Sequence, residues 1–474
     1  MLQKFFIPAI IFLAYFFNVS NDSLAYHTIM VYVIWGYNVF YCLGDVKKHF
    51  PFLLFQITFF TFLLGQPLAT FFSKDEIFGE VALWEFSKET QEHVVLLLFI
   101  SLYMLNLGYN LAIKRQHKSK YVNYDYENSN ILRVRRLSKN LMYICAIPAI
   151  FSSLERAIFV LTYGYVSLYT NYESSLPSIV NNLTVIYQFS FYLFLATLPT
   201  KKECKTPILL YLTIGLITLG SGHRGQTVLY FAFVLLYYAV RDYIKIGNAS
   251  EIWLSKRLKR SIVLASPFVI VFLMMYGTLR LQTGDSSGYS NFFDNILAFF
   301  YQQGGSVSVI AYGYDYSKQI ADGNYTFGFI RDAFTFGESL TMEQRATCGR
   351  YYAAALTYLT RPDYYLNGGG IGNCYIAEIF QDFGYIGVTL INIVYGYILA
   401  MFYSIVRSGN LWKIFFSFVI ITKVLYAPRS ESLAFLSVFI SFTFLFFIVV
   451  VAVFKKKSYS HGTKAISECN NTNI

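Results

Sequence analysis

Apolar runs of about twenty residues follow one another along nearly the whole chain, and no other feature narrows the fold as far. A run of that length carries an α-helix through the ~30 Å hydrocarbon layer of a bilayer. Inside that layer every backbone N–H and C=O must be satisfied within the protein. Read in order, the runs predict about twelve spans, at residues 5–20, 26–43, 51–71, 94–113, 140–161, 180–199, 207–221, 227–243, 262–279, 384–405, 412–427 and 433–454. Outer-membrane barrels alternate apolar and polar residues over short strands, and these runs do not. The chain is therefore expected to be all-α, a polytopic integral membrane protein with residues 1–474 forming a single membrane domain. Composition agrees: 55% of residues are hydrophobic and only 14% charged, whereas a soluble domain carries roughly a quarter. The first run follows Lys4 but meets no A-x-A cleavage site, so it reads as an uncleaved span.

The loops set the orientation. With the N-terminus in the cytoplasm, "DVKKH", "KRQHKSK", "RVRRLSK", "KKECK", "SKRLKR", "VRSGNLWK" and "FKKKSYSHGTK" all fall on one side. Roughly two-thirds of the Lys and Arg then lie in the cytoplasm, as expected for short loops of a membrane protein. Both termini are cytoplasmic in this reading. The formal net charge of +11 follows from the same loops and does not point to nucleic acid. The six cysteines show no C-x-x-C spacing, so neither a zinc site nor a redox motif is expected. A disulfide between Cys348 and Cys374 stays open.

Two segments fall outside the cytoplasm and are too long for plain turns: residues 73–93, mildly acidic, and residues 280–383, one large loop expected to be ordered and partly helical. The unusual residues gather on that same side. Arg224 in "GSGHRGQ", Arg280 in "MYGTLRLQTG" and Arg429 in "YAPRSES" each stand at a span end. Charge near a span is costly and faces protein, water or an anionic ligand. Arginine is always charged and its planar fork fits phosphate. Three of them at one leaflet suggest a site for a lipid pyrophosphate; snorkelling to ordinary headgroups is the plain alternative. Arg361 opens "RPDYYLNGGGIGNCYIAEIFQDFGYIG". In this stretch Gly369, Gly370 and Gly372 lead into a helix from about residue 373, and a glycine loop feeding a helix presents N–H groups to an anion. Beyond it, Glu378 and Asp382 lie four apart on one helical face. Either carboxylate, or His223 beside Arg224, has the chemistry to take a proton from a sugar hydroxyl. Within the fifth span, Glu155 and Arg156 are adjacent and cannot share a face, so each needs its own partner. The sequence has no D-x-D, H-E-x-x-H or G-x-S-x-G motif. No metal and no cofactor is therefore expected, and a metal-bound nucleotide-sugar transferase is not what the sequence describes.

The blocks "GSGHRGQ", "YQQGGSVSVI", "YLTRPDYYLNGGGIGNCYIAEIFQDFGYIGV" and "APRSESLAFL" resemble the Wzy-type O-antigen polysaccharide polymerases of Gram-negative bacteria. The likeness extends to layout: about a dozen spans and one large periplasmic loop in the second half. It implies a metal-independent membrane glycosyltransferase of the inner membrane, active at the periplasmic face. The implied donor is a growing glycan on undecaprenyl pyrophosphate, and the acceptor is the terminal sugar hydroxyl of a new lipid-linked repeat unit. On this reading Arg224, Arg280 and Arg429 hold the pyrophosphate. Glu378, followed by Asp382 and His223, is the candidate base, and Arg361 with the glycines contacts substrate. A chain-length regulator and a flippase are the implied protein partners, alongside membrane lipids. A lipid-linked oligosaccharide flippase or an O-antigen ligase is the alternative reading. Transporters, however, often show related halves around a midplane site, and this sequence shows no internal repeat.

Overall fold

The computed structural model describes residues 3–17, 23–72, 82–116, 128–165, 167–244, 251–281, 292–334 and 340–453, and among them every regular element is a helix. The first nine long elements are α1 (Gln3–Phe16), α2 (Ser23–Leu43), α3 (Val46–Phe72), α4 (Lys88–Gln116), α5 (Ser129–Tyr163), α6 (Ser178–Ala196), α7 (Lys201–Gly220), α8 (Arg224–Ile244) and α9 (Lys256–Leu281). Six short helices follow: α10 (Phe292–Gln303), α11 (Ser306–Asp315), α12 (Gly328–Phe334), α13 (Met342–Thr347), α14 (Tyr352–Thr360) and α15 (Pro362–Leu366). The chain then returns to long apolar helices in α16 (Tyr375–Arg407), α17 (Leu411–Tyr426), α18 (Ala434–Ile440) and α19 (Phe442–Val453).

Among the described residues each of the twelve apolar runs is largely helical, but fewer than twelve have the length and hydropathy of a span. Among the described residues nine helices do, or ten if α18 and α19, bent by 55°, make one broken span. The shortfall lies at the N-terminus. The apolar part of α1 is only Phe5–Phe16, about 18 Å of helix at 1.5 Å per residue. Helix α2 is long enough, but His27, Asn38 and four tyrosines (Tyr26, Tyr32, Tyr37, Tyr41) dilute it.

Helices α4 and α16 pack closely at the centre. A Cβ at Gly108 would overlap the backbone of Ile393, and one at Gly396 would overlap that of Leu105. Small residues let membrane helices approach this closely. Buried polar side chains tie α4 to α2 as well: Asn106 donates to Asn38 Oδ1 at 2.7 Å, and within α4 Asn110 donates to Asn106 Oδ1 at 2.9 Å. The adjacent pair in α5 parts as its spacing requires. Glu155 accepts from Tyr172, Ser174 and Ser175 at 2.6–3.0 Å, while Arg156 reaches Asn181 Oδ1 at 3.5 Å.

Two departures from regular helix shape the region that matters for function. Gly384 interrupts α16 with φ 58° and ψ −153°, a conformation essentially confined to glycine. The expected span begins at this residue; the turns before it, carrying Glu378 and Asp382, form a separate arm. Helix α3 contains a π-helical turn at Phe60–Leu64, a feature frequent at functional sites. Against it rests the hairpin of α10 and α11, where a Cβ at Gly304 would strike the backbone N of Gln66 and Ser308 Oγ donates to Gln66 Oε1 at 3.1 Å. The start of the expected 280–383 loop is thus packed into the helix bundle. Residues 282–291 lie outside the described residues. Cys348 and Cys374 are both free thiols.

Candidate functional site

The arm before Gly384 places Glu378 almost entirely inside the protein, 2% exposed. Both of its oxygens accept hydrogen bonds. Oε1 accepts from Ser432 N at 3.1 Å and Ser432 Oγ at 2.5 Å, and Oε2 accepts from Asn373 Nδ2 at 3.1 Å. Ser432 sits in the loop after α17, and its carbonyl accepts in turn from the Tyr395 hydroxyl. Glu378 therefore ties the loop 427–433 to the first turn of α16.

That tie closes one side of a cleft with about 340 Å³ of empty space, walled also by Tyr325, Asp332, Arg350, Tyr351, Tyr352 and Glu431. On the far wall Asp332 accepts from the Tyr351 hydroxyl at 2.8 Å and lies 3.8 Å from the Arg350 guanidinium. The Arg345 guanidinium rests 4.5 Å from the centre of the Tyr351 ring, a favourable cation–π distance. Burial pushes the Tyr325 and Tyr351 hydroxyls up to about 12, with help from the Asp382 carboxylate for the first and the Asp332 carboxylate for the second. Burial moves Tyr352 further in the same direction. All three keep their protons at neutral pH and are not bases. The Tyr352 oxygen is buried against Gly313 with no hydrogen-bond partner among the described residues. Glu431, by contrast, is exposed. Aromatic rings, hydroxyl donors, carboxylates and a guanidinium in one cleft make a surface suited to a sugar.

The structure distributes the other expected site residues around this cleft. Asp382 does not wall it; its Oδ2 accepts from Thr326 N at 2.7 Å and fixes the turn on the cleft's edge. Arg429 lies two residues before Glu431 on the same loop, donating to Gln303 O at 3.0 Å with its guanidinium 5.5 Å from the Phe62 ring centre. Arg224 starts α8 and donates to Leu273 O of α9 at 2.9 Å. Tyr426 stands between these two arginines. Its hydroxyl fills the space a Cβ would need at Gly225, and its ring meets Phe62 edge-on at 5.6 Å. Arg280 belongs to the last turns of α9, about 10 Å of helix beyond Leu273, and its side chain lies outside the described residues. His223 pairs with Ser221 Oγ at 3.0 Å, edge-on to Tyr165.

The glycine run is partly committed to its own turn. Gly368 N and Gly369 N donate to Tyr365 O and Tyr364 O, closing α15, and the Tyr364 ring covers Gly369. Gly368 and Gly372 have φ of 83° and 87°, which explains glycine there without a ligand. Gly370 faces open space. Arg361 reaches the Tyr312 hydroxyl at 3.4 Å. Sequence reasoning did not single out Asp332, Arg350, Glu431 or Ser432 as site residues. The one available signal was local: Glu431 and Ser432 stand two and three residues after Arg429 in "YAPRSESL".

The family model for the O-antigen polysaccharide polymerase Wzy matches residues 1–460, nearly the whole chain. The chain belongs to the O-antigen polysaccharide polymerase family. No curated protein and no solved structure matches it. Membership of the Wzy family assigns a multi-pass membrane protein to O-antigen polysaccharide polymerisation, a glycosyltransferase-type role on lipid-linked oligosaccharide repeat units.

Proposed function

We propose that this Wzy polymerase moves the growing glycan from undecaprenyl pyrophosphate to the terminal sugar hydroxyl of a new lipid-linked repeat unit, at the periplasmic face of the inner membrane and without a metal ion. The observation that carries the reading is the loop 427–433. It bears Arg429 at one end and the exposed carboxylate of Glu431 at the cleft, so a pyrophosphate holder and a proton acceptor stand two residues apart.

The acceptor hydroxyl oxygen forms the new bond to the donor's anomeric carbon. The bond from that carbon to the pyrophosphate oxygen breaks, and its electron pair leaves with the undecaprenyl pyrophosphate. Arg429 and Arg224, with Arg280, bind that leaving group and stabilise the charge developing on it, where preorganised donors act most strongly. The acceptor proton goes to a carboxylate. Among the residues expected from the sequence, Glu378 alone walls the cleft, but its oxygens already accept three hydrogen bonds. Glu431 takes the proton in this account, and Glu378 holds the loop that carries it. Asp382 and His223 support neighbouring turns. Tyr351 and Tyr352 supply aromatic wall to the cleft that holds the sugars.

The positive-inside pattern supports cytoplasmic termini and hence a periplasmic cleft. A chain-length regulator and a flippase are the protein partners this role requires. Deleting the gene separates the possibilities. Loss of a polymerase leaves single repeat units attached to lipopolysaccharide, and the wild-type gene restores the ladder. A deletion strain with no repeat unit attached at all contradicts the proposal and indicates a flippase or a ligase.

A further inference from the structure

A second pocket, with about 410 Å³ of empty space, lies at the other end of the same helices. Its place follows from α16, which carries Glu378 in its first turn and Arg407 in its last. From the interruption at Gly384 to Arg407 roughly 35 Å of helix runs at 1.5 Å per residue, more than the ~30 Å hydrocarbon core. The pocket therefore opens at the face opposite the sugar cleft, where the basic loops gather.

Two cations and four hydroxyls line it: Lys48, Arg407, Tyr109, Tyr243, Tyr403 and Ser404. They come from four different helices, so this is a built cavity and not one helix end. The hydroxyls are held in place. Tyr109 bonds to His49 Nδ1 at 2.6 Å, and Tyr403 donates to Lys47 O at 2.6 Å. The Arg407 guanidinium lies 5.1 Å from the centre of the Tyr243 ring, which itself packs on Tyr403. The carboxylates nearest along the chain are both engaged elsewhere: Asp45 caps α3, accepting from Lys48 N at 3.2 Å, and Asp242 accepts from Trp253 N at 2.7 Å and Leu254 N at 3.1 Å. Among the described residues no carboxylate lines the pocket, so the lining is positive, and the Tyr243 and Ser404 hydroxyls beside a fork-shaped guanidinium match the oxygens of a phosphate.

Depth points to a lipid as the carrier of that phosphate. Lys48 stands just inside the start of one span and Arg407 at the end of another, the level of lipid headgroups. Ile113 and Ala400 add an apolar wall to the same pocket, and Leu43 and Val46 are exposed close by in the chain. We propose that this pocket binds the phosphate of an anionic glycerophospholipid in the leaflet opposite the sugar cleft. The site is separate from polymerisation chemistry and does not depend on the assignment of that chemistry.

The test uses the full chain in phosphatidylcholine nanodiscs, titrated with phosphatidylglycerol, with additional phosphatidylcholine, or with inorganic phosphate, and read by native mass spectrometry and thermal shift. Wild-type protein retains phosphatidylglycerol selectively. Each charge removed, in Lys48→Gln or Arg407→Gln, weakens retention about five-fold, and the double variant about 25-fold. The charge-keeping pair Lys48→Arg with Arg407→Lys retains the lipid, and Lys413→Gln, basic and on the same face but outside the pocket, behaves as wild type. Equal retention of both lipids by wild-type protein overturns the proposal without recourse to any variant. So does stabilisation by inorganic phosphate alone, which identifies a soluble anion, or a loss in Lys413→Gln as large as in the double variant, which identifies diffuse surface charge.

Discussion

Replacing Glu378 separates a residue that holds the site from one that performs the chemistry. In Glu378→Ala three donors lose their acceptor at once: Ser432 N, Ser432 Oγ and Asn373 Nδ2. Ser432 is fully buried, so water does not replace the lost partner for its two donors. A buried group left unsatisfied costs about 1–3 kcal/mol, which puts the loss at the loop 427–433 at about 2–6 kcal/mol for Ser432 alone. Glu378→Gln keeps the shape and one acceptor oxygen for Ser432. It opposes one new N–H to the Asn373 amide, whose own oxygen is occupied by Cys374 N at 2.8 Å, so it costs about one unsatisfied group, ~1–3 kcal/mol. The assays are thermal unfolding of detergent-purified protein and the lipopolysaccharide ladder of a complemented deletion strain. Glu378→Ala should lower the unfolding temperature clearly and abolish the ladder. Glu378→Gln should unfold slightly early and still polymerise, because the base is elsewhere; loss of a general base costs about 10²–10⁴-fold. A Glu378→Gln protein that unfolds like wild type yet makes no polymer refutes this division of labour and makes Glu378 the base.

Further outcomes follow from the same geometry. Arg224→Ala removes a guanidinium anchored on Leu273 O and should abolish the ladder with protein still present in the membrane fraction; a normal ladder removes Arg224 from the site. Gly384→Ala forces a side chain into φ 58°, ψ −153°, a cost of order 1–3 kcal/mol, and should lower both the unfolding temperature and polymer yield as the arm bearing Glu378 shifts. Tyr352→Phe deletes a buried hydroxyl that has no partner among the described residues, so stability should hold or rise; a fall in polymer yield in that stable protein marks the hydroxyl as a substrate contact.

The helical layout was legible because membrane spans depend on composition over a local window, and each apolar run is largely helical among the described residues. Their count was less so: α1 is too short and α2 too rich in tyrosine to meet the same standard as the others. Gly384 was legible only as the start of a span. Its role as a hinge between an arm and that span depends on backbone angles the sequence does not display. Arg224 and Arg429 stood out because charge at a span end is rare. The cleft wall was not readable, since it is assembled from distant contacts with no periodic signature, Ser432 with Glu378 and Thr326 with Asp382 among them. The glycine run misled in part, because two of its N–H groups close α15 in place of facing an anion.

The most direct test of the account is polymerisation by purified protein reconstituted with lipid-linked repeat unit, comparing wild type with Glu431→Gln. Glu431 is exposed, and the bonds it accepts within the loop, from Ser430 Oγ and Ala434 N, go to its backbone carbonyl and not to its carboxylate, so the variant should fold as wild type. Wild-type protein should yield a ladder and Glu431→Gln should yield unreacted repeat unit, with a rate at least about a hundred-fold lower. A full ladder from Glu431→Gln contradicts the claim that this cleft, with its carboxylate beside Arg429, is where the glycan is transferred.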